Sequence, residues 1–282
     1  MNDSAQRTAL IARLGLRRHG NTRTEPDPVV TFGTTGLVGA FALATTGGTV
    51  HEYAALAHSL DGICRLWGLE AAGLHAGGAP MTSLASIVGR NVDLIRRTQP
   101  DGPYRLIGWS TGGVLAYETA RRLEAEGAEV ALVTLIDAPS RTGRSRPDPA
   151  DDLAALFAGH VLRGLGQPAH ALPRLSAAQR LTLLAEHLAG RPGWPDTLLG
   201  DLERWYSVFV AHAAALVGYR AEGTLQAAAV LISAHGSQDW APYWRQRFRG
   251  GVREISTTAG HYGCLHPPAV AAAVAAIRET LP

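Results

Sequence analysis

The order of apolar runs along the chain predicts an α/β fold, with a mostly parallel sheet, helices on both faces and a helical insertion late in the chain. Three observations carry this. Strand-like and helix-like segments alternate from residue 28 to residue 137, the rhythm of a sheet built from crossover units. A block from about 140 to 225 then shows helical periodicity without a convincing strand. Alternation resumes afterwards with two short strands and a closing helix.

Residues 1–27 form a polar, proline-punctuated tail or linker, and the domain is expected over 28–282. "PVVTFGT" and "LVGAFALATT" are two strand-like runs around a Gly-Thr-Thr-Gly turn. "HEYAALAHSL" has helical spacing, with Tyr53, Leu56 and Leu60 on one side. "ICRLWGLEA" reads as a strand, and "TSLASIVGRNVDLIRRTQP" as a helix capped at Thr82 or Ser83 and stopped by Pro100. "YRLIGW" is the next strand, "GGVLAYETARRLEAEG" a helix closed by Gly127, and "EVALVTLID" a strand ending at Asp137. The polar loop "SRTGRSRPDPADD" opens the insertion. Within it "DLERWYSVFVAHAAALVGYR" sets Leu202, Trp205, Phe209, Leu216 and Tyr219 on one apolar stripe. "AAAVLISA", "VREIST" and the helix "PAVAAAVAAIRETL" complete the order.

Composition excludes several kinds of chemistry. A formal charge of +2 on 282 residues gives nucleic-acid binding no electrostatic support. All 26 basic residues are arginine, so a P-loop lysine and a lysine Schiff base are ruled out. Cys64 and Cys264 stand apart without CxxC spacing, and no HxH or HExxH occurs. Neither a disulfide framework nor a metal site is expected, and a reducing cytoplasm fits. No apolar run approaches the roughly 18 residues a bilayer span needs.

The stretch "LIGWSTGGVLAYE" holds the chemistry. Gly108-Trp109-Ser110-Thr111-Gly112 satisfies G-x-S-x-G between a predicted strand and a predicted helix, the context of a nucleophile elbow. The competing reading is a serine N-cap in a glycine-rich turn. As a nucleophile, Ser110 needs a base. His261, in "STTAGHYGCLHPP", follows a late strand and precedes the last helix, where an α/β-hydrolase carries its histidine. His266 is the rival. The acid stays open on pattern alone, since Asp137 and Asp239 each follow a strand and give the order Ser…Asp…His. Oxyanion donors are expected from the Thr111 amide at the helix start and the Thr46 amide in "ALATTGG". Trp205 and Phe209 are candidate pocket residues in the lid.

These segments resemble the thioesterase domains that release products from nonribosomal peptide and polyketide synthases. The likeness runs from about Pro28 to Pro282 and is carried by four stretches: "ALATTGGTVHEYAALAHSL", "RTQPDGPYRLIGWSTGGVLAYETARRLEAEGAEVALVTLID", "RWYSVFVAHAAALVGYRAEG" and "AGHYGCL". The resemblance implies an α/β-hydrolase fold with a helical lid over an acyl pocket. It favours Asp137 as the acid, with Asp239 the alternative. It further implies an acyl or peptidyl carrier protein as partner, whose phosphopantetheine arm holds the thioester, so that the enzyme needs no cofactor or metal of its own. Release would proceed by hydrolysis or macrocyclisation in natural-product, including antibiotic, biosynthesis. Ala44-Thr45 stands where the family commonly reads His-Pro. A free-standing editing thioesterase and a non-catalytic hydrolase-like binding protein are the other two readings.

Overall fold

The computed structural model describes residues 27–32, 35–36, 38–75, 77–142, 150–164, 175–189 and 198–279. The expected polar tail lies outside them except for Asp27. Seven strands form one sheet in the order β1-β3-β2-β4-β5-β6-β7. They are β1 (Val29–Phe32), β2 (Val38–Leu43), β3 (Cys64–Leu69), β4 (Tyr104–Trp109), β5 (Val130–Ile136), β6 (Ala228–Ser233) and β7 (Val252–Ser256). β1 runs antiparallel to β3, and every other neighbouring pair is parallel. Strands β2 and β4–β7 therefore all end at one edge of the sheet. Ligands in open α/β sheets bind at this edge, outside the carboxyl ends of the strands.

Both sheet faces are covered, which is why β4 and β5 read as continuous apolar runs rather than alternating ones. Leu106 and Val133 point into one layer with Leu115, Tyr117, Trp244 and Phe248. Their neighbours Ile107 and Leu132 point into the other, with Tyr53, Leu56, Val270 and Ile277. The covering helices are α1 (Ala54–Leu60), α2 (Leu84–Thr98), α3 (Thr111–Ala125), α7 (Ala241–Arg245) and α8 (Val270–Glu279). Ser83 caps α2, its hydroxyl accepting the Ser86 amide.

Among the described residues the insertion holds α4 (Ala150–Gly164), α5 (Ala177–Ala189) and α6 (Leu198–Ala215). They share their own apolar cluster, including Phe157, Leu184, Trp205, Val208 and Phe209. The insertion leaves and rejoins the core through a short antiparallel stem. Thr142 N–H donates to Tyr219 O (2.9 Å) and Ala221 N–H to Ser140 O (3.0 Å). The expected stripe on the last helix of the insertion divides here. Leu202, Trp205 and Phe209 pack within the insertion. Tyr219 lies past the end of α6 and packs against the sheet core. The sequence also gave no sign of α7, a single five-residue turn of helix with proline near its start.

Candidate active site

Ser110 occupies the corner between β4 and α3 with φ 54° and ψ −131°. Such a positive φ is costly for a non-glycine residue, on the order of 1–3 kcal/mol, and persists only where the surroundings enforce it. Here Ser110 N–H donates to Ile136 O and its carbonyl accepts from Gly113 N–H, each at 2.9 Å. The flanking glycines let the corner close. A Cβ on Gly108 would stand 2.2 Å from Gly112 O, and one on Gly112 would stand 2.6 Å from Leu43 O. Although Ser110 holds the N-cap position of α3, its side chain makes no capping bond. The half-buried serine thus keeps its hydroxyl uncommitted at a helix N-terminus, which favours negative charge.

Asp137 ends the adjacent strand and also has positive φ, 45°. Its carboxylate, almost fully buried, accepts from Ala234 N–H (3.2 Å), Ser237 O–H (2.7 Å) and His261 Nδ1 (2.5 Å). Burial pushes its pKa up, but the hydrogen bonds from His261, Ser237 and Ala234 outweigh that and hold it below the ordinary carboxylate range. With Nδ1–H given to Asp137, the neutral ring presents Nε2 as a lone-pair acceptor. Asp239 is engaged elsewhere, its Oδ1 accepting from Ala241 N–H (3.0 Å) at the start of α7. Among the described residues no hydrogen bond yet joins Ser110 Oγ to the His261 ring, a contact that commonly tightens only once substrate binds.

Trp109 fastens the histidine loop to the elbow. Its indole N–H donates to His261 O (3.0 Å) and its ring lies 4.9 Å from the imidazole. The same carbonyl accepts from the Cys264 thiol (3.0 Å), whose pKa burial pushes up to about 12. Cys264 is thus a buried support of the loop. A second tie escaped the sequence reading, which gave Tyr53 only an apolar role. Its phenol accepts from Trp109 N–H (2.7 Å) and donates to Leu43 O (2.8 Å), bracing the strand before the serine against the end of β2. Nothing in the sequence distinguishes this tyrosine from an ordinary core residue.

The loop after β2 stands beside the elbow. Thr46 N–H donates to Thr111 Oγ1 (2.8 Å), and the two threonine hydroxyls are themselves 2.8 Å apart. The amide expected to receive an oxyanion therefore faces the elbow, with the Thr111 hydroxyl as its present acceptor. Trp205 and Phe209 part company. Trp205 lines a cleft with Trp109, Glu52, His160, Arg163 and Tyr262. Phe209 turns into the core of the insertion, edge-on to Phe157 at 5.6 Å. Within the cleft Glu52 accepts from Thr49 O–H (2.9 Å) and faces His160 across 3.5 Å. Among the described residues no group of three His, Cys, Asp or Glu could hold a metal ion. None of their helices is long and apolar enough to cross a membrane.

The family model described as "Thioesterase domain" matches residues 40–249, most of the chain. The chain belongs to the thioesterase domain family. The match ends short of His261, so that residue rests on its position in the fold. Over 154 residues the thioesterase domain is 35% identical to malpinin synthetase of Mortierella alpina, covering 53% of this chain and 2% of that protein. A stretch of 114 residues is 39% identical to the inactive atromentin synthetase invA4 of Paxillus involutus. The chain spans 2% and 12% of these two relatives. Among solved structures it is similar to holo-AB3403, a four-domain nonribosomal peptide synthetase bound to AMP and glycine. The TM-score is 0.80 at 23% identity, covering 93% of this chain and 21% of that one.

Proposed function

We propose that this thioesterase domain releases an acyl, peptidyl or polyketide chain from the phosphopantetheine thioester of a carrier protein, through an ester on Ser110. In this reading His261 Nε2 takes the Ser110 proton as Oγ attacks the thioester carbonyl. The oxyanion that forms meets the Thr111 amide at the start of α3 and the Thr46 amide of the loop after β2. Collapse breaks the C–S bond, and the imidazolium gives its proton to the departing thiolate, so that a free thiol leaves and the ring is neutral again for the second half-reaction. Asp137 keeps Nδ1 protonated and stabilises the charged ring. Water, or an amine or hydroxyl of the bound chain, then opens the ester by the same steps in reverse, giving the free acid or a ring.

The observation that carries this reading is the strained, uncapped Ser110 at the sheet edge where Asp137 and His261 are already joined. A protein that only binds has no use for a serine forced to positive φ with its hydroxyl unspent. The synthetase relatives, in which a thioesterase segment is a small part of a long chain, support a carrier protein as partner. Intact-mass analysis after a fluorophosphonate probe, together with turnover of an N-acetylcysteamine thioester, tests it. The parent protein gains one adduct on Ser110 and turns over, while folded Ser110→Ala does neither. An unlabelled parent protein, or an active Ser110→Ala variant, would overturn it.

A further inference from the structure

The lid does more here than roof the cleft, because it grips the loop that carries the Thr46 amide. Four lid side chains on two helices touch that loop. His212 Nδ1 on α6 donates to Thr45 O (3.4 Å), and the Trp205 indole N–H on the same helix donates to Gly47 O. A Cβ on Gly47 would stand 2.7 Å from His160 Nε2 of α4, and one on Gly48 would stand 2.7 Å from Val208 Cγ1. The inserted helices thus lie close against the backbone of the loop at these two positions, with Ala71 of the core closing the space at Gly48 as well.

The contact at Thr45 has a geometric consequence. Thr45 C=O and Thr46 N–H belong to one planar trans peptide and point in opposite directions. Drawing the carbonyl toward α6 turns the amide toward the elbow, where it meets Thr111 Oγ1 at 2.8 Å. Rotation of this peptide would aim an oxygen where the oxyanion forms. His212 is almost fully buried. Burial, with Arg90 nearby, outweighs the bond to Thr45 and holds its pKa below the ordinary histidine value. The neutral ring therefore has a single N–H, which is spent on the loop.

We infer that the seated lid builds the oxyanion hole, with His212 and Trp205 as positioning residues that orient the Thr45–Thr46 and Gly47–Gly48 peptides. Lid movement and acylation competence are then coupled, since a lifted α6 removes one of the two donors on Thr45 O and leaves the peptide that aims the Thr46 donor to the loop's own bond from Gly48 N–H (2.9 Å). The inference rests on the reading of Ser110 as nucleophile. It extends that reading from the residues that react to the residues that hold the hole open.

The test uses the whole chain with His212→Leu, His212→Gln and Trp205→Phe. His212→Leu removes the donor, and its kcat on an N-acetylcysteamine thioester falls by about 10²-fold, the loss typical of one missing oxyanion contact, while KM stays within about threefold. A boronic-acid inhibitor, which forms a tetrahedral adduct on the serine, weakens by a similar factor. His212→Gln supplies an amide N–H and restores most of the activity. Trp205→Phe keeps the ring, drops the N–H, and lowers kcat in the same direction. A folded His212→Leu variant with parental kcat would overturn the inference, as would a loss carried wholly by KM or left unrescued by glutamine. Should the His212 variants not fold, Trp205→Phe decides alone, and parental kcat in it counts against the inference. Absence of Ser110 labelling in the parent protein would instead refute the underlying reading.

Discussion

Replacing Asp137 with asparagine probes the centre of the site. Three donors converge on this carboxylate, with His261 and Ser237 on Oδ2 and Ala234 N–H on Oδ1. An amide has one acceptor oxygen, so it cannot serve both positions. If the oxygen faces His261 and Ser237, the new NH2 group meets Ala234 N–H, and an unsatisfied buried donor costs about 1–3 kcal/mol. If the NH2 group faces His261 instead, Nδ1 must accept and the proton moves to Nε2, which then cannot take one from Ser110. The first arrangement costs stability and the second costs catalysis. For a wrong-tautomer triad the loss is about 10⁴-fold in kcat, or about 5.5 kcal/mol of barrier. The assay is steady-state turnover of an N-acetylcysteamine thioester near neutral pH, with a thermal melt to confirm folding. Asp239→Asn serves as the control and stays within about threefold of the parent, since its carboxylate accepts from Ala241 N–H instead. The reasoning fails if Asp137→Asn keeps more than about a tenth of parental turnover or if Asp239→Asn is the more damaging change.

Two further outcomes follow from the supports of the site. Tyr53→Phe strands Trp109 N–H and Leu43 O in the core, and denaturant unfolding should reveal a loss of about 2–4 kcal/mol; a change below about 0.5 kcal/mol would show that the bridge is dispensable. Ser237→Ala removes one donor from Asp137. Because the folded pKa of Asp137 lies below its unfolded value, its contribution to stability is complete above about pH 4 and is lost as pH falls through the folded pKa. Loss of Ser237 raises that folded pKa, so the acid-unfolding midpoint followed by circular dichroism moves to higher pH; an unmoved midpoint would mean the hydroxyl does not hold the carboxylate.

The corner at Ser110 was legible because its cause is local. Glycines two residues either side of a serine, between a strand and a helix, record in the sequence the close approaches that a Cβ would block. The sheet was legible for a similar reason, since buried parallel strands and amphipathic helices differ in period. The choice between Asp137 and Asp239 was not settled by pattern, because both follow strands, and only the fold distributes one to His261 and the other to α7. Tyr53's bridge, His212 and the backbone bond of Trp205, a residue expected only as part of the pocket, stayed hidden for a different reason. Each sits on an apolar helix face like any core residue, and each makes its decisive bond to a backbone atom contributed by another element. Backbone donors and acceptors have no residue identity, so no spacing rule announces them.

The stem at Ser140 and Ala221 gives the insertion a single paired doorway, through which its helices come and go without disturbing the strands on either side. A protein engineer could exchange the entire block there and expect the sheet to assemble unchanged. The transplanted helices would nevertheless arrive without a donor for Gly47 O and without the second donor of Thr45 O, which would keep only Gly48 N–H. A chimera made this way should fold and yet acylate slowly, until a donor for each of those oxygens is written back into its last helix.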